Sequence, residues 1–200
     1  MKVIGFNGSP RKEGNTARLV STVLDTLEGN GIATEYIQLG GQNMHGCIAC
    51  MQCHENQDRQ CSIKTDNCNE YLEKMIEADG IVVGAPTYFA DLNAETKALL
   101  DRSSFVALQN GGLFRGKVGA GVVAARRGGA VRVMDSILKP FQMSEMFLPG
   151  STYWNLGYGL QPDEVIGDTE GINNMRNLGR QIAYLLKALD LARENGVQVS

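Results

Sequence analysis

Apolar stretches recur along the chain and predict the strands of one sheet. Residues 1–6 are mostly apolar and residues 80–85 are apolar throughout, as expected of parallel strands buried on both faces. Further strands are predicted at residues 33–39, 117–125 and 146–148, whereas residues 151–162 are expected to be irregular. The predicted sheet therefore has five strands, with residues 80–85 near its centre.

Amphipathic segments separate these strands and predict helices. Apolar side chains repeat at helical spacing from about Thr16 until Gly29-Asn30-Gly31 ends the pattern. Further helices are predicted after a cap at Asp66 or Asn67 and at residues 93–102, 131–142 and 169–195. Strands that alternate with helices predict an α/β fold with a doubly wound parallel sheet. Residues 1–200 are expected to form a single domain.

Four cysteines form the densest chemical motif of the chain. Cys47, Cys50 and Cys53 are each separated by two residues, and Cys61 follows after a polar insert, within a cysteine loop of about residues 44–65. This spacing lets successive sulfurs of one tight loop converge on a common centre. Runs of C-x-x-C-x-x-C are typical of iron–sulfur clusters, which are held by four thiolates. We therefore predict that these four cysteines ligate a cluster.

Two other interpretations of the cysteine loop stay open, namely a zinc site and a loop of free or disulfide-bonded thiols. Structural zinc more often uses two separate C-x-x-C pairs, and the fifth cysteine, Cys68, stands alone. The interval from Cys53 to Cys61 is longer than in ferredoxin runs, and no proline follows Cys61. The chain has no second cysteine set, so all four thiolates would serve one cluster. His45 and His54 are interpreted as exposed loop residues rather than ligands.

A polar loop, residues 7–16, joins the first predicted strand to the first helix. A helix that starts after such a loop offers free N–H groups to an anion. Ser9, Asn15 and Thr16 add hydrogen-bonding side chains, and Arg11 adds positive charge. The loop lacks both G-x-x-x-x-G-K-[ST] and G-x-G-x-x-G, which argues against a nucleoside triphosphate or a dinucleotide. It is suited to a terminal phosphomonoester such as that of FMN, and an ordinary polar turn is the alternative.

Two more loops follow the third and fourth predicted strands. The aromatic loop begins with Pro86, Thr87, Tyr88 and Phe89, and the basic loop consists of Arg126, Arg127, Gly128 and Gly129. Ligands of open α/β sheets bind outside the carboxyl ends of the strands, where both loops are expected. Aromatic rings can meet a flat heteroaromatic ring, glycines let the backbone approach it, and arginines can meet phosphate. The alternatives are packing against a helix or subunit for the aromatic loop and a solvated turn for the basic loop.

Composition and charge narrow the classes of function. The net charge of −3 provides no basic field for nucleic acid or an anionic membrane. No apolar run approaches the length of a membrane span, and the first residues lack the features of a signal peptide. Five cysteines, an odd number clustered at ligand spacing, suit a reducing compartment. We therefore expect a cytoplasmic protein.

Taken together, these motifs resemble the iron–sulfur flavoproteins of the NADPH-dependent FMN reductase superfamily over nearly the whole chain. The resemblance lies in Gly8-Ser9-Pro10-Arg11 with Gly14-Asn15-Thr16, in the four cysteines of the cysteine loop, and in Ala85-Pro86-Thr87-Tyr88. The first and third motifs are shared with superfamily members that carry no cluster. The cysteine set therefore selects the iron–sulfur branch.

The resemblance implies a flavodoxin-like fold, with one FMN and one four-iron, [4Fe-4S], cluster per subunit of a homodimer or a dimer of dimers. It implies that Ser9, Arg11, Asn15 and Thr16 hold the FMN phosphate. Pro86 to Phe89, with Gly128 and Gly129, would border the isoalloxazine ring. Arg126 is a further candidate contact because of its place at a strand end, although the Arg126-Arg127 pair matches no fixed feature of the family.

The leading functional hypothesis is an electron-transfer oxidoreductase that uses FMN and a cluster. FMN takes two electrons as hydride or one at a time, whereas a cluster handles single electrons, so a protein with both can convert between the two. NAD(P)H or ferredoxin would donate the electrons, and no residue stands out as a general acid or base. The alternatives are a cluster-free NAD(P)H-dependent FMN, quinone or azo reductase, and a non-enzymatic redox or metal sensor.

Overall fold

Five parallel strands form the central sheet in a computed structural model that describes residues 1–197 and residue 199. The strands are β1 (Lys2–Asn7), β2 (Ala33–Gln38), β3 (Gly80–Pro86), β4 (Val118–Ala125) and β5 (Leu156–Tyr158). Their order in the sheet is β2-β1-β3-β4-β5, and every neighbouring pair is parallel. The predicted parallel sheet of five strands is therefore confirmed.

Helices cover both faces of this sheet. They are α1 (Asn15–Glu28), α2 (Gln52–Asn56), α3 (Cys68–Glu77), α4 (Ala94–Gln109), α5 (Ala130–Met143) and α6 (Thr169–Glu194), with a 3-10 turn at Glu164–Gly167. On one face, α1 and α6 share an apolar core with Val3 and Val82, and on the other, α3, α4 and α5 share one with Ile4 and Val83. Successive residues of β1 and β3 are therefore buried on opposite faces, which explains their continuous apolar sequences. The α/β, doubly wound fold is confirmed.

The order of the strands places a crevice at the carboxyl end of the sheet. After β1 the chain moves outward to β2, and it then returns to place β3 on the other side of β1. The connections that leave β1 and β3 therefore run to opposite faces of the sheet. Ligands of open α/β sheets bind at such a switch point. The polar loop follows β1 and the aromatic loop follows β3, so these two loops flank the crevice.

The position of the fifth strand was predicted wrongly. Residues 146–148 form no strand, and β5 lies within residues 151–162, which were expected to be irregular. Phe147 makes only an isolated parallel bridge with Val118 at the start of β4. Pro149 follows almost at once, and a residue without an N–H group cannot continue a ladder of hydrogen bonds. The chain therefore leaves the edge of β4 and returns to it only at β5.

Helix boundaries differ from the predictions in two places that affect the cysteine loop. The short helix α2 lies inside this loop and was not predicted. Helix α4 continues to Gln109 rather than ending near residue 102, so it carries Phe105 and Val106 beneath the loop. Of the two predicted caps of α3, Asn67 is the residue before the helix but forms no capping hydrogen bond, whereas the Asp66 carboxylate accepts the N–H of Cys68 at 3.2 Å. Among the described residues, no helix combines the length and the apolar character needed to cross a bilayer.

Candidate functional site

The polar, aromatic and basic loops meet at the carboxyl edge of the sheet. The N–H of Gly8 in the polar loop donates to the carbonyl of Gly84 in β3 at 2.8 Å. The N–H of Thr87 in the aromatic loop donates to a β4 carbonyl at 2.9 Å. A Cβ atom added at Gly129 of the basic loop would lie 2.8 Å from Ala90 Cα. The fold therefore brings together three loops that lie far apart in the sequence.

The start of α1 is suited to a phosphate group. Gly14 is the residue before this helix, and no side-chain hydrogen bond caps its first N–H groups. Ser9, Asn15 and Thr16 are buried around this end of the helix, whereas Arg11 is exposed. Uncapped N–H groups and the positive end of the helix dipole favour an anion. These groups are suited to the phosphate of FMN in charge and in hydrogen-bonding chemistry.

Hydrogen bonds within the polar loop give Ser9 and Asn15 a second role. Asn7 Oδ1 accepts the N–H of Ser9 at 3.1 Å, and Ser9 Oγ accepts the N–H of Arg11 at 3.2 Å. Asn15 Oδ1 accepts the N–H of Val165 at 3.2 Å. Ser9 and Asn15 therefore hold the loop in shape, in addition to their predicted contact with phosphate.

Two amide side chains that support the polar loop were missed in the sequence. Asn93 Nδ2 donates to the carbonyl of Gly8 at 2.7 Å, from the residue before α4. Gln38 Nε2 donates to the carbonyls of Ser9 and Gly40, at 2.8 Å each, from the end of β2. No local pattern marks either residue, since Asn93 is 85 residues from its partner and Gln38 is 29 residues from Ser9.

The aromatic loop holds two exposed rings in a fixed turn. Tyr88 and Asp91 exchange backbone hydrogen bonds of 2.9 and 3.0 Å, and Ser136 of α5 donates to the Asp91 carboxylate at 2.7 Å. Phe89 and Ala90 have positive φ angles of 47° and 63°, which non-glycine residues seldom adopt. The Phe89 side chain is fully exposed. A strained turn that presents aromatic rings to solvent is suited to contact a ligand or a second subunit.

The basic loop places its glycines and its arginines differently. Gly129 has a φ of 91° and packs against the aromatic loop, so its lack of a side chain is required there. Arg126, Arg127 and Gly128 are exposed at the carboxyl end of β4. The predicted contacts of Arg126 and Gly128 with FMN are thus compatible with their location and stay predictions.

The four cysteines of the cysteine loop line a single concavity above α4. Cys47 and Cys50 are exposed, Cys61 is partly exposed and Cys53 is buried. Within the part of the chain that is described, no three Cys, His, Asp or Glu side chains converge closely enough to hold one metal ion. A four-iron cluster takes one thiolate at each iron, so its cysteine sulfurs lie further apart than the ligands of a single zinc ion. The four thiols and the concavity that they line are therefore chemically suited to a four-iron cluster.

The environments of the thiols differ. A hydrogen bond with Ser62, at 3.1 Å, lowers the pKa of Cys50, whereas burial raises the pKa of Cys53. Burial raises the pKa of Cys68 to about 12, and this residue lies in the apolar core rather than in the concavity. His45 and His54 are exposed, as predicted. Cys68 is thus set apart from the four predicted ligands.

A buried ion pair beneath the cysteine loop was also missed in the sequence. Arg102 of α4 donates to the Asp66 carboxylate at 2.5 Å, and both side chains are fully buried. Burial alone would raise the pKa of Asp66 and lower that of Arg102, but their mutual hydrogen bond, together with backbone N–H groups on Asp66 and nearby thiols on Arg102, outweighs it, so both stay charged. Arg102 follows Leu99 by three residues on the buried face of α4. A charged residue on an apolar helix face is the signal that would have identified it.

Comparisons with known proteins show the family to which this chain belongs. Residues 1–161 match the sequence profile of the NADPH-dependent FMN reductase family. An iron–sulfur flavoprotein of Methanocaldococcus jannaschii is 39% identical over 196 residues, covering 94% of this chain and 99% of the relative. An iron–sulfur flavoprotein of Methanosarcina thermophila is 30% identical over 196 residues, covering 97% of this chain and 100% of the relative.

Solved structures confirm the fold. A flavodoxin from the domain Archaea superposes with a TM-score of 0.61 at 16% identity, covering 94% of this chain and 99% of the flavodoxin. The flavodoxin-like sheet and the family match define a flavin-dependent oxidoreductase that binds FMN. The chain belongs to the iron–sulfur flavoprotein family within the NADPH-dependent FMN reductase superfamily.

Proposed function

We propose that this protein transfers electrons between FMN and a [4Fe-4S] cluster held by Cys47, Cys50, Cys53 and Cys61. When bound, FMN supplies hydride and single-electron chemistry and the cluster supplies single-electron chemistry. The thiols are chemically suited to a cluster, and the relatives named above as iron–sulfur flavoproteins match nearly the whole chain.

One helix, α4, contacts both predicted cofactor sites, and this observation carries the proposal. Thr96 lies so close to Gly8 that a Cβ atom added at Gly8 would collide with the Thr96 hydroxyl. Six residues later, Arg102 Nε donates to Cys61 Sγ at 3.3 Å. Six helical residues span about 9 Å. The polar loop, which would hold the FMN phosphate, and the cysteine loop are therefore near neighbours on one rigid element. The aromatic loop, which would border the isoalloxazine ring, leads directly into the same helix, and this supports direct electron transfer between the two cofactors.

The residues of the three loops would bind and orient FMN. We propose that Ser9, Arg11, Asn15 and Thr16, with the first N–H groups of α1, hold its phosphate. The predicted neighbours of the isoalloxazine ring are Pro86, Thr87, Tyr88, Phe89, Arg126, Gly128 and Gly129. Gly129 lets the aromatic and basic loops pack together, so a flat ring could be bordered by both loops at once.

Loading of the cluster depends on the protonation of the thiols, since the ligands are thiolates. The pKa of Cys50 is lowered by its hydrogen bond with Ser62, so this thiol would lose its proton more readily than Cys53, whose pKa is raised by burial. Exposure of Cys47 and Cys50 opens the concavity to incoming iron and sulfide, while the buried Cys53 anchors the loop against α4. The chain would thus present two accessible ligands on a fixed base.

The proposed electron donors are NAD(P)H or ferredoxin, and the proposed assembly is a homodimer or a dimer of dimers in the cytoplasm. The exposed side chains of Leu108 and Met143 beside a groove between α4 and α5 support self-association, since apolar patches on a surface mark contacts. The near-balanced charge supports neither nucleic acid nor an anionic membrane as a partner.

A second candidate is a cluster-free NAD(P)H-dependent FMN, quinone or azo reductase. A cysteine loop without a cluster is compatible with the spread of the thiols, because no three metal-binding side chains converge on one point among the described residues. The family profile matches residues 1–161 and carries the name of an NADPH-dependent FMN reductase, which supports it further.

Iron, acid-labile sulfide and FMN should be measured on protein purified without oxygen, and its visible spectrum recorded before and after reduction. We expect about four iron and four sulfide per FMN, as in a [4Fe-4S] cluster, with absorbance that bleaches on reduction. FMN without iron or sulfide, together with rapid NAD(P)H oxidation, would establish the second candidate instead. Colourless protein that does not bind added FMN would refute both.

A further inference from the structure

Arg102 occupies a position that stability alone does not explain. It is the largest side chain among the fully buried residues that the structure describes, and it lies beneath the cysteine loop. Removing an ion from water costs several kcal/mol, and buried ion pairs are often less stable than apolar side chains of similar size. A methionine at this position of α4 would fill the same space. The charge of Arg102 is therefore a candidate for a role in the site.

The guanidinium of Arg102 is aimed at the predicted ligands and fixed on its other sides. Its Nη1 donates to Asp66 Oδ2 at 2.5 Å and to the carbonyl of His45 at 3.1 Å, and its Nη2 donates to the carbonyl of Ile63 at 3.2 Å. These contacts join both ends of the cysteine loop to α4. The Nε–H group points to Cys61 Sγ at 3.3 Å. The orientation of this N–H group is thus determined by protein acceptors.

Asp66 is held equally firmly. Its Oδ2 also accepts the N–H of His45 at 2.9 Å, and its Oδ1 accepts the N–H of Cys68. The carboxylate therefore has a partner for each oxygen besides the guanidinium. Its negative charge is as fixed in place as the positive charge of Arg102, so the two charges can be removed separately to distinguish their effects.

We propose that Arg102 is a positioning residue that raises the reduction potential of the cluster, and that Asp66 fixes Arg102 and partly cancels its charge. This inference rests on the proposed function, since it requires a cluster on the four thiolates. Hydrogen bonds to sulfur and nearby charge are established determinants of cluster potential. The reduced cluster carries one more negative charge than the oxidised one, so a fixed cation in a buried site stabilises the reduced form.

Two variants test the sign of the effect. Arg102→Met removes the cation and the N–H donor at similar volume, and we expect at least a tenfold loss in the equilibrium constant for one-electron reduction, about 59 mV downward. Asp66→Asn removes the opposing charge, so the potential should move upward. Arg102→Lys keeps the charge but lacks the planar guanidinium, so the reduction potential of its cluster should lie between those of the wild type and Arg102→Met. Arg115→Met removes an exposed arginine paired with Glu145 and should leave the reduction potential unchanged.

Each variant would be reconstituted without oxygen with FMN, ferrous iron and sulfide, and the cluster titrated by spectroelectrochemistry. Circular dichroism and FMN content serve as the controls for folding. Opposite shifts of the reduction potential for Arg102→Met and Asp66→Asn support the proposal. Both substitutions break the same ion pair, so a purely structural role would shift the potential in the same direction in both variants. If Arg102→Met does not fold, Asp66→Asn and Arg102→Lys still give opposite shifts under the proposal.

Unchanged potentials in loaded variants, or shifts of the same sign, would overturn the inference while leaving the proposed function intact. Wild-type protein that binds FMN but no iron would instead refute the cluster, and with it the inference. Iron content of the wild type therefore distinguishes the two failures before any variant is compared.

Discussion

At the scale of single residues, identical side chains acquire different chemistry from their surroundings. Cys50 is exposed and its pKa is lowered by Ser62, whereas Cys68 is buried and its pKa is raised to about 12. A thiol that stays protonated in an apolar core is inert, and one that ionises readily is a metal ligand or a nucleophile. Burial thus separates Cys68 from the loop thiols although only six residues lie between it and Cys61.

We expect Cys50→Ser to lower bound iron severely while FMN stays bound, because the polar loop and the cysteine loop are separate binding elements. Cys68→Ala is the matched control, since it removes a cysteine that does not line the concavity. It should keep its iron and lose about 1 kcal/mol or more of stability from the core. Iron and FMN content of both purified variants check this, and full iron loading of Cys50→Ser would reject the ligand assignment.

The two glycines of the basic loop allow a second comparison between neighbours. A Cβ atom added at Gly129 would meet Ala90 Cα at 2.8 Å and would stand at a φ of 91°, whereas one added at Gly128 meets nothing within 4 Å. Gly129→Ala should lower the free energy of unfolding by about 1–3 kcal/mol. Gly128→Ala should stay within about 0.5 kcal/mol of wild type. Urea unfolding of FMN-free protein measures both, and equal stabilities would contradict the packing of the two loops.

At the scale of elements, helix ends and helix lengths decide what the loops can do. Helix α1 begins at Asn15 without a side-chain cap, which leaves its first N–H groups for an anion. Helix α4 extends to Gln109, and the added turns support the cysteine loop through Phe105 and Val106. Both features concern the ends of elements, which a periodic pattern defines less sharply than their centres.

Ser9→Ala and Thr16→Ala test the predicted phosphate site at the start of α1. Hydrogen bonds to a charged group contribute about 1.5–3 kcal/mol, so each substitution should weaken FMN binding about tenfold or more. Ser21→Ala, on the same helix but more than one turn further along, is the matched control and should bind FMN as the wild type does. Titration of FMN-free protein by flavin fluorescence gives the affinities of the three variants and of the wild type. Equal affinities would remove the polar loop from the binding site.

At the scale of the whole molecule, topology assembles a site that no single segment contains. The order β2-β1-β3-β4-β5 places the ends of β1, β3 and β4 side by side, so the polar, aromatic and basic loops become neighbours. Helix α4 then joins this edge to the cysteine loop through Thr96 and Arg102. The two sites are thus close in space but held by different loops.

This separation predicts the order in which air would remove the cofactors. Cys47 and Cys50 are exposed, so oxygen can reach a cluster bound there, whereas the FMN loops contribute no thiol. On exposure to air the cluster absorbance should bleach and iron should be released while FMN stays bound. Visible spectra and the FMN retained on a desalting column follow the two processes. A spectrum indifferent to oxygen would indicate zinc or no metal.

Much of the fold and part of the candidate site follow from local sequence. The apolar runs of β1, β3 and β4, and the glycines and polar residues between elements, determine a parallel sheet with loops at its carboxyl edge. The spacing of Cys47, Cys50, Cys53 and Cys61 likewise defines a set of thiols without reference to the fold. These features depend on residues close together in the chain, so their physical consequences can be derived from the sequence.

Only the tertiary structure decided which distant residues support the loops. Asn93, Gln38 and Arg102 act through partners between 29 and 85 residues away, and no periodic pattern encodes such a pairing. The place of β5 was decided in the same way, because a triplet of residues pairs with β4 only where the chain path returns to that edge. Local sequence determines the elements and the chemical groups, and long-range packing determines which groups meet.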